Sequence, residues 1–240
     1  EKATCIIYTL EARLEEKPFR SYLVKAGMSS GRILMMPGIS RDMMERLVDI
    51  DYEKMHRFTR KVILCLRDAA VVEVENPLGT NLRFSVKGRK WVASTGDISR
   101  RGAHGNLPAG ECYTAPVEES FEGKIVLSLI DDKPGRGIME FRRGRLTSWR
   151  GKGVTAVVRN IGEDKTGKLI GEFGIGTNRK ARLSANMLEA EKAFGTAHFA
   201  IGDSYGLGRN SSRHHYDALV EKVTVRADGK TIIKNGRFRI

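Results

Sequence analysis

The sequence predicts an α/β fold, α+β overall, in which a partial α/β region at the front is followed by a strand-rich, glycine-rich unit that holds a metal site. Three observations predict it. Strand-like apolar runs alternate with helical stripes over the first 69 residues, as in an α/β layer. From about residue 70 apolar and polar residues alternate at the period of a strand. Metal-type side chains then crowd the last third, where three of the five histidines stand (His198, His214 and His215). We therefore expect two units, residues 1–69 and 70–240, the second being the metal-binding catalytic unit.

The elements follow in order. Residues 3–8 read as a buried strand and 19–25 as a helix. Arg32 to Met36 is a second strand, ended by Pro37-Gly38. Ser40 is placed to cap a helix carrying Met43, Met44, Leu47 and Val48. Another helix starts near Tyr52, with Met55, Phe58, Val62 and Cys65 at three- and four-residue steps. Val72 and Val74, then Leu82, Phe84 and Val86, mark two strands joined by the turn Asn76-Pro77-Leu78-Gly79. One helix is expected to interrupt the strands that follow, from Leu183 to Phe194, with Leu183, Met187, Ala190 and Phe194 on one face and Gly195 as its stop. Asp228-Gly229 and Asn235-Gly236 predict turns near the end.

Bulk properties narrow the class. The chain is 40% apolar and 30% charged over 240 residues, the balance of a globular protein with a sizeable core. No apolar run approaches the roughly 20 residues that cross a bilayer, so no membrane partner is expected. The opening residues lack the basic flank and long apolar stretch of a signal peptide. They also lack an initiator Met and run almost at once into a strand, so a longer front is expected in the natural chain. Cys5, Cys65 and Cys112 are odd in number and scattered. That pattern argues against a disulfide framework and for a reducing, cytoplasmic setting. The net charge of +13 suits a nucleic-acid surface, a solvated basic exterior or attraction of anionic substrates. Its basic residues are scattered, with small clusters at Arg142, Arg143, Arg145 and at Arg179, Lys180, Arg182. No aromatic stripe accompanies them, so the solvated exterior is favoured and nucleic acid is not expected as a partner.

Five side chains are candidate metal ligands. His215 and Asp217 are two apart, and on an extended strand such residues face the same way. The plain alternative is an exposed polar strand face. His198 follows the expected helix stop in an apolar segment, where a satisfied core histidine is the plain alternative. Gly202, Gly206 and Gly208 follow it and imply a tight loop. Tyr205 lies in that loop, where its phenol could hydrogen-bond a reacting oxygen or simply pack. Glu111 follows Pro108-Ala109-Gly110, and Glu172 precedes Gly174-Ile175-Gly176; either could be an ordinary surface glutamate. Imidazole with carboxylate suits zinc, cobalt, iron or manganese. Five ligands suffice for two ions if a carboxylate bridges them. No HExxH helix, Walker loop, GxGxxG turn or GxSxG elbow is present.

At these residues the chain resembles the thermophilic metallo-aminopeptidases. The resemblance is carried, in matching order, by Asn106-Leu107-Pro108-Ala109-Gly110-Glu111 through Thr114-Ala115-Pro116-Val117-Glu118, by Glu172-Phe173-Gly174-Ile175-Gly176-Thr177-Asn178, by Glu191-Lys192-Ala193-Phe194-Gly195-Thr196-Ala197-His198, and by Ser211 through Asp217. It covers residues 70–240 well and the front loosely. The resemblance implies two divalent ions, Zn, Co or Mn, on Glu111, Glu172, His198, His215 and Asp217. It implies Tyr205 as a catalytic tyrosine that stabilises the oxyanion. It also implies attack by a metal-bridging hydroxide, with a glutamate, Glu111, passing the proton to the leaving amine. The substrate it implies is a peptide losing its N-terminal residue, and the assembly a homodimer. A relative of the same fold, the ring-cleaving dihydroxypyridine dioxygenase, is similar around His198, His215 and Asp217, which alone would hold one Fe(II).

Overall fold

The structure is a computed structural model and describes residues 4–11 and 16–240. The front of the first expected strand, at residue 3, lies outside the described residues. The chain enters through β1 (Ile6–Leu10), α1 (Lys17–Ser30) and β2 (Ile33–Pro37). These are the first two strands and the helix read from the sequence. β1 and β2 run parallel, as a helical crossover requires. Then come α2 (Arg41–Leu47) and α3 (Tyr52–Leu66). Ser40 caps α2 by accepting from the Met43 amide at 3.2 Å, and Asp51 caps α3 through the Lys54 amide at 2.8 Å. The buried stripe of α3 is Met55, Thr59, Val62 and Leu66, one step round from the predicted one, leaving Phe58 and Cys65 half-buried at its margin.

The strands follow: β3 (Val72–Glu75), β4 (Asn81–Phe84), β5 (Val92–Ser94), β6 (His104–Asn106), β7 (Glu111–Thr114), a 3-10 turn at Glu118–Ser120, β8 (Glu122–Ile130), β9 (Lys133–Arg142) and β10 (Arg145–Arg150). After α4 (Lys152–Ile161) come β11 (Ile170–Gly176), α5 (Met187–Ala190), β12 (Ala197–Gly202), β13 (His215–Val220), β14 (Thr224–Ala227), β15 (Lys230–Lys234) and β16 (Arg237–Phe238). β6 joins β2 in parallel and makes the front sheet three-stranded, β1-β2-β6. The remaining strands form one antiparallel sheet, curled into a half-barrel, with the path β16-β15-β14-β3-β4-β8-β13-β12-β11-β7-β5 and with β9 and β10 branching from β8. β8 shapes the curl. One of its edges carries β9 along its length, while the other takes β4 at its start and β13 at its end.

One face of the curl is packed with aromatic rings. Phe84 meets Phe121 and Phe173, each at 5.0 Å between centroids, and Phe173 stacks on Phe199 at 5.3 Å. Branched residues of β11, β12 and β13 complete that core.

Two expectations change. The helix predicted over Leu183 to Phe194 shrinks to the single turn α5. The Met187 amide donates to Asp132 Oδ1 at 2.5 Å, which starts the helix late. The Lys192 carbonyl accepts from the Asn178 amide at 3.0 Å, which pulls the chain into a bridge with Asn178 and ends it early. α4 was not expected, because its Val-rich run between Gly151 and Gly162 reads as strand. Val154, Val157, Val158 and Ile161 nonetheless recur at helical steps and are buried against β9 and β8.

Phe199 touches Phe84, Phe121 and Phe173 and is fully buried. Phe199→Ala is expected to lower unfolding free energy by about 3–5 kcal/mol, read from a urea titration. A loss below about 1 kcal/mol would mean that the ring cluster is not the core of the curl.

Candidate metal centre

Alternation along β11, β12 and β13 sorts side chains by face. Phe173, Ile175, Ala197, Phe199, Ile201, Tyr216 and Ala218 enter the aromatic core. The opposite face carries Glu172 on β11, His198 on β12, and His215 with Asp217 on β13. Register completes the grouping. Glu172 pairs with Ala200, and Ala200 with Asp217, so two carboxylates flank one small residue across three strands. His198 sits in the next row, between Gly174 and Leu219. β7 adds Glu111, opposite Gly176. The repeated small residues have a steric reason. A Cβ on Gly174 would lie 2.0 Å from His198 Nε2, so the imidazole crosses the strand where only glycine leaves room.

The five sequence-predicted ligands come together. His198 Nε2 stands 3.2 Å from Glu111 Oε2 and 3.2 Å from Glu172 Oε1. His215 Nε2 stands 3.9 Å from Glu172 Oε2 and 3.5 Å from Asp217 Oδ2. Glu172 therefore turns one oxygen to each imidazole. Two groups of candidate ligand atoms, Glu111-Glu191-His198 and Glu172-His198-Asp217, each lie within 4.8 Å of one another. The residues fit divalent cations by a further test. The His215 Nδ1 N–H can donate to the Asp203 carbonyl at 2.8 Å, which leaves Nε2 as the donor atom for an ion. Asp217 Oδ1 is buried with no hydrogen-bond partner, an expensive arrangement unless a cation answers it.

Tyr205 lies in the loop after β12, at a backbone φ of 49°. Its side chain is exposed, and its ring centroid is 4.5 Å from that of His215. The site also holds residues to which the sequence reading gave no role. Lys192 is fully buried, with Nζ 3.0 Å from Glu111 Oε1 and in an ion pair with Glu191. The available signal was the place of Glu191-Lys192 at the head of the segment that runs to His198 and carries the family resemblance. Cys112, next to Glu111, faces the core as packing predicts, and the three cysteines are unpaired.

Electrostatics reflect the crowding. Burial alone would raise the Glu111 carboxyl, but the Lys192 ammonium and His198 hold it at about 2. Burial opposes ionisation of Asp217 as well, and His215 overcomes it, to about 2. His215 is disfavoured as a cation by burial, yet Asp217 and Glu172 push it up to about 10. Glu172 is raised by burial, and Glu191 is raised by burial to about 8 against the pull of Lys192.

The family model described as thermophilic metalloprotease (M29) matches residues 50–238. This chain belongs to that family. It is accordingly a hydrolase of the metalloprotease class, whose chemistry depends on divalent metal ions. Two solved structures share the fold. The 2,5-dihydroxypyridine dioxygenase from Pseudomonas putida KT2440 superposes with a TM-score of 0.78 at 19% identity, covering 98% of this chain and 72% of that one. Wild-type AmpT from Thermus thermophilus superposes at 0.71 with 17% identity, covering 100% of this chain and 95% of that one. No curated protein matches the chain by sequence. Among the described residues no helix is long and apolar enough to cross a membrane.

The pKa directions set a pH dependence. His215 and Glu191, raised to about 10 and 8, contribute stability that is full below 6.5 and 4.5 and is lost as pH climbs through the raised values. Glu111 and Asp217, lowered to about 2, contribute above 4.5 and 3.8 and lose that contribution as pH falls through about 2. The melting temperature of chelator-treated protein is therefore expected to fall as pH rises from 6.5 to 10. Added zinc or cobalt should oppose the fall most at the alkaline end, where protons compete least for the ligands. A melting temperature that rises over that range in chelator counts against the charge arrangement.

Proposed function

We propose that the protein is a metal-dependent aminopeptidase working through a dinuclear centre. One observation carries the reading: the Glu172 carboxylate offers Oε1 to His198 and Oε2 to His215, as a bridging ligand does. On this reading Glu111, Glu172 and His198 would hold one ion, and Glu172, His215 and Asp217 would hold the other. Zinc, cobalt and manganese all suit these donors. Bound ions supply Lewis-acid polarisation of the scissile carbonyl and a water acidic enough to attack at neutral pH. Tyr205 reaches the His215 side and donates its phenol proton in a hydrogen bond to the developing oxyanion. Glu111, with Glu191 beside it, passes the proton to the leaving amine. Family membership supports a peptide substrate, and the motif resemblance supports release of its N-terminal residue. The division at residues 1–69 and 70–240, a homodimer and a cytoplasmic setting belong to the same proposal.

A second reading has one observation in its favour. His198, His215 and Asp217 share a face, as a two-histidine, one-carboxylate Fe(II) site requires. The family match and the placement of Glu111 and Glu172 against both imidazoles favour the peptidase.

Elemental analysis of the protein, with aminoacyl-p-nitroanilide hydrolysis, tests the proposal. Near two zinc or cobalt ions per chain are expected. Glu172→Gln is expected to lower that number and to cut kcat by about 100-fold or more. A single iron with oxygen consumption would replace the peptidase by the dioxygenase reading.

A further inference from the structure

The loop that carries Tyr205 is held from outside the metal cluster. Its base is tied by Asn210, whose Nδ2 donates to the carbonyls of Ile170 at 2.9 Å and Gly202 at 2.6 Å. Ser204 closes it, with Oγ donating to the Asn210 carbonyl at 2.7 Å. These bonds fix the two ends of the turn. They leave Tyr205 itself exposed, at a backbone conformation that non-glycine residues rarely adopt.

The middle of the loop is fixed by Glu118, which lies in the 3-10 turn between β7 and β8. Its carboxylate is buried and none of the mechanism uses it. Oε1 accepts the Arg209 amide at 2.6 Å. Oε2 pairs with the Arg89 guanidinium and lies 3.6 Å from Arg209 Nε. Arg89 in turn donates to the Leu207 carbonyl at 3.3 Å. A Cβ on Gly208 would stand 2.7 Å from Glu118 Oε1, so the loop backbone is drawn tight against the carboxylate. Residues 207, 208 and 209 are thus all gripped by one buried anion and its arginine. A buried carboxylate with these partners is costly to break, because removing it strands Arg89 and a backbone amide.

We propose that Glu118 is a positioning residue for Tyr205: it sets the loop so that the phenol stands over His215. The inference rests on the assignment of Tyr205 to oxyanion stabilisation made above. A displacement of about 1 Å in such a group costs up to about 100-fold in rate. The loss should appear in kcat and leave metal binding alone, since Glu118 touches none of the five ligands' donor atoms.

A double-mutant cycle on the metal-loaded enzyme tests it, with Tyr205→Phe, Glu118→Gln and their combination. Glu118→Gln is expected to lower kcat about tenfold, with KM changed less than twofold and metal content equal to wild type. In the Tyr205→Phe background the same change is expected to have no further effect, the signature of two residues acting as a unit. Gly208→Ala supplies a second route, because it crowds the carboxylate without deleting it, and the same non-additivity is expected. Equal losses in both backgrounds, unchanged kcat in Glu118→Gln, or lost metal would overturn the proposal while leaving Tyr205 its role. Full activity in Tyr205→Phe would instead remove the oxyanion assignment, and this inference with it. If Glu118→Gln fails to fold, Gly208→Ala decides alone by the same criteria.

Discussion

Glu172 lies buried with an imidazole facing each of its oxygens, and much of the molecule exists to make that burial tolerable. An unpaired carboxylate in a protein interior is strongly disfavoured. Here, among the described residues, four carboxylates, on Glu111, Glu172, Glu191 and Asp217, crowd together with one permanent cation, Lys192. The two imidazoles make up part of the deficit by taking protons. Divalent ions would make it up more completely, because each brings two charges and prefers these same donors. The chemistry of a metalloprotease and the stability of this interior thus draw on the same imbalance.

The sheet solves the delivery problem. Adjacent strands bring candidate ligands from distant parts of the sequence to neighbouring rows, and alternation keeps the aromatic core on the other side. The side chains on Phe173 and Phe199 stack beneath the very residues that flank them in sequence, Glu172 and His198. Rigidity of the ring layer is therefore rigidity of the ligand layer. Gly174 leaves the space that the His198 imidazole occupies, and Gly202 lets the chain pass close to the His214 backbone.

Around the sheet, long-range contacts tie helices and turns to the site. Arg46 of α2 pairs with Glu189 of α5 at 2.7 Å, and Thr59 of α3 bonds Thr177 at the end of β11 at 2.7 Å. Asn178 reaches the Ala109 carbonyl at 2.8 Å, linking the turn before Glu111 to the end of β11. The Arg46 and Thr59 contacts bring the front helices against the later strands, so the regions before and after residue 69 touch directly.

The sequence by itself determined the strand and helix periods at the front, the caps at Ser40 and the turn glycines. Through His215-x-Asp217 it also determined one pair of side chains facing together. Those are local properties, set by backbone geometry within a few residues. The motif resemblance pointed to the remaining ligands without saying how they meet. Tertiary structure alone decided three things. The expected helix over Leu183 to Phe194 shrank to one turn because Asp132, remote in sequence, and Asn178, at the end of β11, took its backbone groups. Lys192 became the site's buried cation because the fold sets it between Glu111 and Glu191. Glu172 came to stand between two histidines because the register of three strands put it there. Register and hydrogen-bond competition depend on partners far along the chain, and no local pattern of residues encodes them.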